Sequence, residues 1–449
     1  MVRDRQITLM TSGMHENRVS SKLVGYARMH AGSAMWAVAD QGINPLVQLL
    51  LAPLLLHRLG TQEFALWALA NAFVAMSQLI SFGAGLATTK HVSADLASGA
   101  NDDAVNSTRA AISIVLLMGG IVGAILFSFA HAISTEFFLQ IGPPEHVGPV
   151  IALGGVAAVI QEIDNVCAAA LRGAERFDLC GKTEVPLRVG IGAAIVALSG
   201  GGYNVLSLFS AMTVLMGAKA AIKIIVVQRV LDSRYCCVPT LRKKSIRRVF
   251  GFGFWQWLQS AGTIMFSAAD QLIIGSVLGS ASLARYSVCL QLAQYVQVLP
   301  SVMTQVIFPR ISALGSKLDS RRGNQVLISA TMFAFGVALA LGIPLALCAQ
   351  IILRYWVGFD FASANYALLM VLVFVHVVLA FNVGGYYVLL GTGRGAIAAA
   401  IVLTAGTAQA ALALTLAPLG ILVVAWSRMA YSLLTASLFF AARLRPSVR

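Results

Sequence analysis

Seven ionisable side chains stand where apolar stretches predict membrane-spanning helices: Lys219, Lys223, Arg428, Asp40, Glu162, Asp164 and Asp270. A charge at the centre of an isolated span costs about 2.5 to 3.5 kcal/mol, so each needs a partner, a cavity or a route to the interface. Lys219 and Lys223 are four residues apart and share one helix face. Counting about 1.5 Å per residue from Arg229 puts them roughly 15 and 9 Å above the cytoplasmic end of their span. Lys223 can snorkel to that interface more readily than Lys219. Arg428 lies about 12 to 15 Å inside the outer end of the last span by the same count. Glu162 and Asp164 are two apart, about 200° around a helix, so they cannot both face one cavity. Three readings stand side by side. The cations and carboxylates form structural ion pairs, or they snorkel, or Lys219, Lys223 and Arg428 hold a phosphate-bearing substrate. In the last case a carboxylate such as Asp40 or Asp270 titrates or binds a coupling proton or sodium ion, and no organic cofactor is expected.

The elements that must position these charges are apolar helices. The chain of 449 residues is 58% apolar and only 11% charged, with a mean hydropathy of +0.81, too little polar surface to cover a soluble globule. Runs of roughly 20 residues, enough to cross about 30 Å of hydrocarbon, begin near Ala34, Phe64, Thr108, Gly148, Glu184, Asn204, Phe250, Leu283, Val326, Tyr366, Ala396 and Gly420. The prediction is an all-α polytopic membrane protein of about twelve helices.

One stretch occurs twice. At a constant offset of 219 residues, Leu59-Gly60 falls on Leu278-Gly279, Ala65 on Ala284, Trp67 on Tyr286, Gln78 on Gln297, and Val92-Ser93-Ala94 on Ile311-Ser312-Ala313. Each copy ends an apolar run, turns at Leu-Gly and starts another at an aromatic. Six spans separate the copies, an even number, so both halves enter from the same face and are related by an axis near the membrane normal, as in rocking transporters. The expected organisation is a cytoplasmic tail over residues 1–32, a six-helix bundle over 33–228, a basic cytoplasmic linker over 229–248, a second six-helix bundle over 249–443 and a tail over 444–449. The two bundles are expected to be pseudo-symmetric around a central cavity. Spans six and twelve are equivalent, so their cations are expected to converge there.

The formal charge of +14 would point a soluble protein toward nucleic acid. Here all but six of the 32 Lys and Arg residues fall in the tails, the even-to-odd loops or the span ends beside them; the six are Arg58, Arg285, Arg354, Lys219, Lys223 and Arg428. That asymmetry is the positive-inside rule, so no nucleic acid is expected, and both termini are placed in the cytoplasm. Arg242, Lys243, Lys244, Arg247 and Arg248 read as topology or as attraction to anionic headgroups. No cleavable signal is predicted in the first 32 residues; Leu23 to Ala27 suits a short interfacial helix or a disordered tail equally. The six cysteines, with Cys180 expected in a loop and Cys348 in a span, lack metal spacing and read as reduced thiols. His376 reads as a core histidine bonded to a neighbouring helix, Gly83-Ala84-Gly85 as close helix packing, and His131 to Val147 as the longest outer loop. With no P-loop and no catalytic constellation outside the spans, no enzyme is expected.

These residues carry a resemblance. Leu59-Gly60-x-x-x-Phe64-x-x-Trp67, Asp270-x-x-Ile273-Ile274-Gly275-x-x-Leu278-Gly279-x-x-x-Leu283-Ala284-x-Tyr286, Pro309-x-Ile311-Ser312 and Leu171-Arg172-Gly173-x-x-x-Phe177 resemble the bacterial polysaccharide exporters, with the Wzx-type O-antigen flippases, of the multidrug/oligosaccharidyl-lipid/polysaccharide (MOP) superfamily. The similarity runs from about Ser33 to Phe440. It implies an inner-membrane flippase that carries an undecaprenyl-pyrophosphate-linked oligosaccharide from the cytoplasmic to the periplasmic leaflet for O-antigen, capsule or exopolysaccharide synthesis. The partners it implies are that lipid-linked oligosaccharide, the bilayer, a polysaccharide polymerase and a chain-length regulator. The rival within the superfamily is a cation-coupled multidrug antiporter, which often uses a carboxylate in the first or seventh span, where Asp40 and Asp270 fall.

Overall fold

The computed structural model describes residues 46–240, 242–305, 320–392 and 394–443, with Trp36 and Ile43. Asp40, the two expected tails, the 23–27 segment and the end of the second repeat copy at 309–313 lie outside the described residues. The described chain is helical throughout: α1 over 46–75, α2 Ser77–Ile80, α3 Ala84–Ala97, α4 Asn101–Phe137, α5 Pro144–Gly173, α6 Phe177–Ser199 and α7 Val205–Val230. The second half follows with α8 Lys243–Ala293, α9 Tyr295–Gln305, α10 Ser320–Leu347, α11 Ala349–Trp356, α12 Phe359–Ala380, α13 Asn382–Gly391, α14 Gly395–Leu416 and α15 Ile421–Ala442.

Among the described residues, 8 helices are long and apolar enough to cross a membrane. The twelve expected from hydropathy are not all counted by that measure, and the reason is local. The spans expected from Phe250 and Leu283 are counted together as Trp257–Thr304, much of the span expected from Ala34 lies outside the described residues, and α6 carries Asp178, Lys182, Glu184 and Arg188 within its 23 residues. The outward faces are apolar as lipid contact requires, with Leu117 at 61%, Phe127 at 75% and Phe129 at 57% exposure on α4.

The repeated Leu-Gly turn is visible in the backbone. Gly279 interrupts α8 at φ 76°, and Gly60 interrupts α1 at φ 77°, a region that side-chain-bearing residues avoid. At Gly279 the chain folds back: Tyr286 donates a hydrogen bond to Asp270, sixteen residues earlier, whereas a straight helix would hold the two about 24 Å apart. The two halves of the break are therefore antiparallel neighbours. Elsewhere α8 lies hard against α14, where a Cβ on Gly262 would strike the Val402 backbone and one on Gly406 would strike Gly262; small residues let these helices approach.

Several local expectations change. The segment from His131 to Val147 is not a long loop, because α4 runs on to Phe137 and α5 starts at Pro144; the Pro143-Pro144 pair starts a helix rather than ending one. Gly83-Ala84-Gly85 packs closely at Ala84, which is fully buried, but not at Gly85, where a Cβ meets nothing; Phe82 and Gly83 take φ 46° and 70° to break the helix before α3. His376 is a core histidine, but its Nδ1 lies 2.8 Å from Leu372 O on its own helix. Cys180 is buried inside α6, whereas Cys348 is exposed at the break between α10 and α11.

Candidate substrate cavity and its ion clusters

Lys219 and Lys223 project from α7 toward α5 and α6, where Asp164 and Glu184 wait between them. Lys219 Nζ lies 2.9 Å from Asp164 Oδ2 and 2.9 Å from Glu184 Oε1. Lys223 Nζ lies 2.8 Å from Asp164 Oδ2 and also bonds Glu184. All four are nearly inaccessible. A third cation, Arg188, binds Glu184 from one helical turn further along α6. Among the described residues, three cations thus face two carboxylates, a surplus of one positive charge. That surplus opens on a cavity: Lys219 and Arg188 both line a space of about 440 Å³ between α1, α5, α6 and α7. Trp67, Asn71, Gln161 and Asn165 line it as well.

Glu162 faces away from this cluster, as the 200° spacing predicts. It accepts hydrogen bonds from Ser77 Oγ at 2.8 Å and Asn165 Nδ2 at 2.9 Å, while Gln161 donates to Asn165 at 3.1 Å. Ser77, Gln161 and Asn165 all touch the cavity, so this carboxylate is connected to it by a single layer of amides and a hydroxyl.

Arg428 is elsewhere. Its Nη1 bonds Asp270 and lies 3.1 Å from Tyr286 OH, and its Cζ sits 4.0 Å above the Phe266 ring. Phe266 in turn stacks on Tyr431 at 4.1 Å between centroids. Asp270 is fully buried and accepts from the Gln271 backbone at 2.9 Å. This is a one-to-one pair sealed by aromatic rings.

The structure therefore brings Lys219, Lys223 and Asp164 together, joins Asp270 to Arg428, and does not bring the two groups to one cavity. Depth explains it. Arg428 is the seventh residue beyond the start of α15 and Lys219 the fourteenth beyond the start of α7, about 10 Å apart along equivalent helices. Glu184 and Arg188 are the participants that sequence reading passed over. Their i,i+4 spacing on α6 was the available signal, masked because Glu184 sat at the expected start of a span.

A cleft between the halves adjoins this cavity. About 150 Å³ in volume, it is lined by Trp67 and Asn71 from α1 and by Gln271, Ser287 and Gln291 from α8. The two spaces share Gln48, Trp67, Asn71 and Ala75.

The profile of a family described as polysaccharide biosynthesis protein matches residues 55–365, well over half of the chain. The chain belongs to that family. A Shigella flexneri protein described as a candidate O-antigen transporter is 21% identical over 349 residues, covering 76% of this chain and 79% of the relative. The fold seen here is also that of MOP-superfamily transporters. An inward-facing multidrug resistance MATE family transporter superposes with a TM-score of 0.74 at 15% identity, over 92% of this chain and 98% of the other. Its outward-facing counterpart gives 0.67 at 15% identity, over 93% and 95%. A MOP-superfamily transporter from Pyrococcus furiosus, described as having a binding pocket of reversed polarity, gives 0.59 at 14% identity, over 92% and 93%. At such identities these likenesses show the fold alone. Within it, the described residues of this chain place a surplus cation in the first half and a neutral ion pair in the second.

Proposed function

We propose that this membrane protein translocates an undecaprenyl-pyrophosphate-linked oligosaccharide from the cytoplasmic to the periplasmic leaflet of a bacterial inner membrane by alternating access. The observation that carries the reading is the surplus cation at the edge of the first-half cavity. Lys219 and Arg188 can turn a pair of charge-assisted donors toward a pyrophosphate, while Lys223, Asp164 and Glu184 hold them in place. An organic cation would require the opposite balance, a carboxylate in excess. Asp164 and Asp270 are both held by cations; Glu162 accepts hydrogen bonds from the neutral Ser77 and Asn165, which supports it as the carboxylate that takes up a coupling proton. Both termini lie in the cytoplasm on this reading, following the asymmetry of the basic residues.

The test compares a strain lacking the protein with strains restored by the wild type, by Arg188→Gln or by Lys219→Ala, at matched levels of inserted protein. Surface polysaccharide and lipid-linked glycan in each leaflet are followed. Glycan-lipid trapped on the cytoplasmic side in the null strain and in both variants supports the reading. Normal surface polysaccharide in the null strain, with raised sensitivity to cationic dyes, replaces it with multidrug antiport.

A further inference from the structure

The cleft between the halves is chemically unlike the cation-edged cavity beside it. Among the described residues no charged side chain lines it; Gln48, Asn71, Gln271, Gln291, Gln294, Ser267 and Ser287 supply its polar surface. Each carboxamide offers both donors and an acceptor, and each hydroxyl does both. A surface that donates and accepts in alternation without charge suits a ligand that does the same, which is a polyhydroxylated neutral molecule rather than an anion or an organic cation. Trp67 adds an indole, an apolar ring beside the polar groups.

Two of these groups lack a partner among the described residues. Ser287 is buried, and its Oγ makes no hydrogen bond. Gln291 Oε1, one helical turn further along α8, is likewise buried and unbonded. Leaving such an atom unpaired costs about 1 to 3 kcal/mol, so two adjacent ones mark a place where hydrogen bonds are completed by something other than the protein. At about 150 Å³ the cleft has room for about five waters at ~30 Å³ each, the scale of one pyranose ring. Because Trp67, Asn71 and Gln48 belong to both spaces, one ligand can occupy both at once.

We propose that this cleft is a sugar subsite: it receives the first ring of the glycan through Ser287, Gln291 and Asn71, with its C–H face on Trp67, while the attached pyrophosphate lies at Lys219 and Arg188. The assignment rests on the translocation reading above. It places substrate selectivity at the seam where the two halves meet, so that the ring contacts both halves together and is released as they part.

The experiment measures binding to the full-length protein in nanodiscs by native mass spectrometry, with four probes: undecaprenol, undecaprenyl pyrophosphate, and that pyrophosphate bearing one hexose or one N-acetylhexosamine. At least one sugar-bearing probe is expected to bind about tenfold more tightly than bare undecaprenyl pyrophosphate, the worth of one or two hydrogen bonds. The Ser287→Ala, Gln291→Leu double variant should lose that gain and still bind the bare pyrophosphate within about twofold of wild type, a result that also certifies its folding. A single Gln291→Asn variant, gentler on packing, should lose part of the gain. No gain from either sugar in the wild type, or a gain that survives in the double variant, overturns the subsite and leaves the cleft a water pocket. Undecaprenyl pyrophosphate binding no more tightly than undecaprenol overturns the pyrophosphate assignment instead.

Discussion

The two halves share a Leu-Gly turn, at Gly60 and Gly279, and differ in the chemistry beside it. In the second half, Asp270, Tyr286 and Arg428 form an ion pair closed by a phenol. At the repeat offset of 219, Trp67 stands for Tyr286 and Leu51 for Asp270, and Trp67 meets Phe209 of α7 edge-on at 5.9 Å. An apolar cluster in one half thus occupies the place of an ionic one in the other. The first half puts its lysines deeper along α7, where among the described residues three cations share two carboxylates and one edge stays open to a cavity. A sealed neutral pair locks helices together, whereas an open cluster with excess charge has something left to offer a ligand.

The largest expected effect breaks the sealed pair. Asp270→Asn strands Arg428 in the core and should cost about 3 to 5 kcal/mol, read as a lower unfolding midpoint of the detergent-purified protein. Asp270→Leu with Arg428→Met copies the apolar pattern of the first half and should recover most of that loss while sustaining surface polysaccharide. Failure of the double variant to support polysaccharide, at normal stability, would show that Arg428 does more than clamp α8 to α15.

The open cluster should respond less in stability and more in activity. Lys223→Met leaves Lys219 and Arg188 to serve both carboxylates and should cost about 1 to 3 kcal/mol by the same unfolding measurement. Arg188→Gln should change stability by no more than about 1 kcal/mol, since its side chain is partly exposed, yet weaken binding of undecaprenyl pyrophosphate by about tenfold, equivalent to ~1.4 kcal/mol. An equal loss of stability and binding would mean that the two clusters do the same job.

The smallest effects compare the repeated turns. Gly60→Ala and Gly279→Ala each force a side chain into left-handed backbone, at about 1 to 2 kcal/mol. Gly279 should be the more costly, because its added Cβ would lie 3.2 Å from Gln140 O while one on Gly60 meets nothing. Paired unfolding midpoints check the order; a reversal would mean that the approach of Gly279 to Gln140 contributes nothing.

Arg248 shows how far charge statistics reach. Its cluster reads as topology, yet its guanidinium makes a two-pronged bond to Asp95 on α3, at 2.9 and 2.7 Å. Nearby, Trp257 Nε1 donates to Leu79 O at 2.9 Å and its ring stacks on Phe82 at 4.5 Å. The second half is therefore fastened to the first at this end by residues whose pairing spans more than 150 positions, beyond the reach of any local pattern.

The amino-acid sequence by itself determined the class and the repeat. Apolar length sets what crosses a bilayer, and a recurring Leu-Gly within recurring apolar runs must turn the chain the same way twice; both depend on local chemistry alone. It also determined that Glu162 and Asp164 point apart, because helix geometry allows nothing else. Which carboxylate neutralises which cation was decided only by tertiary structure. Lys219 and Lys223 find Glu184 across 35 and 39 residues and Arg428 finds Asp270 across 158, and in a low-dielectric interior a charge is defined by its neighbour in space. The same holds for the amide-lined cleft: Trp67, Asn71, Ser287 and Gln291 are ordinary residues on separate helices until the two halves bring them together.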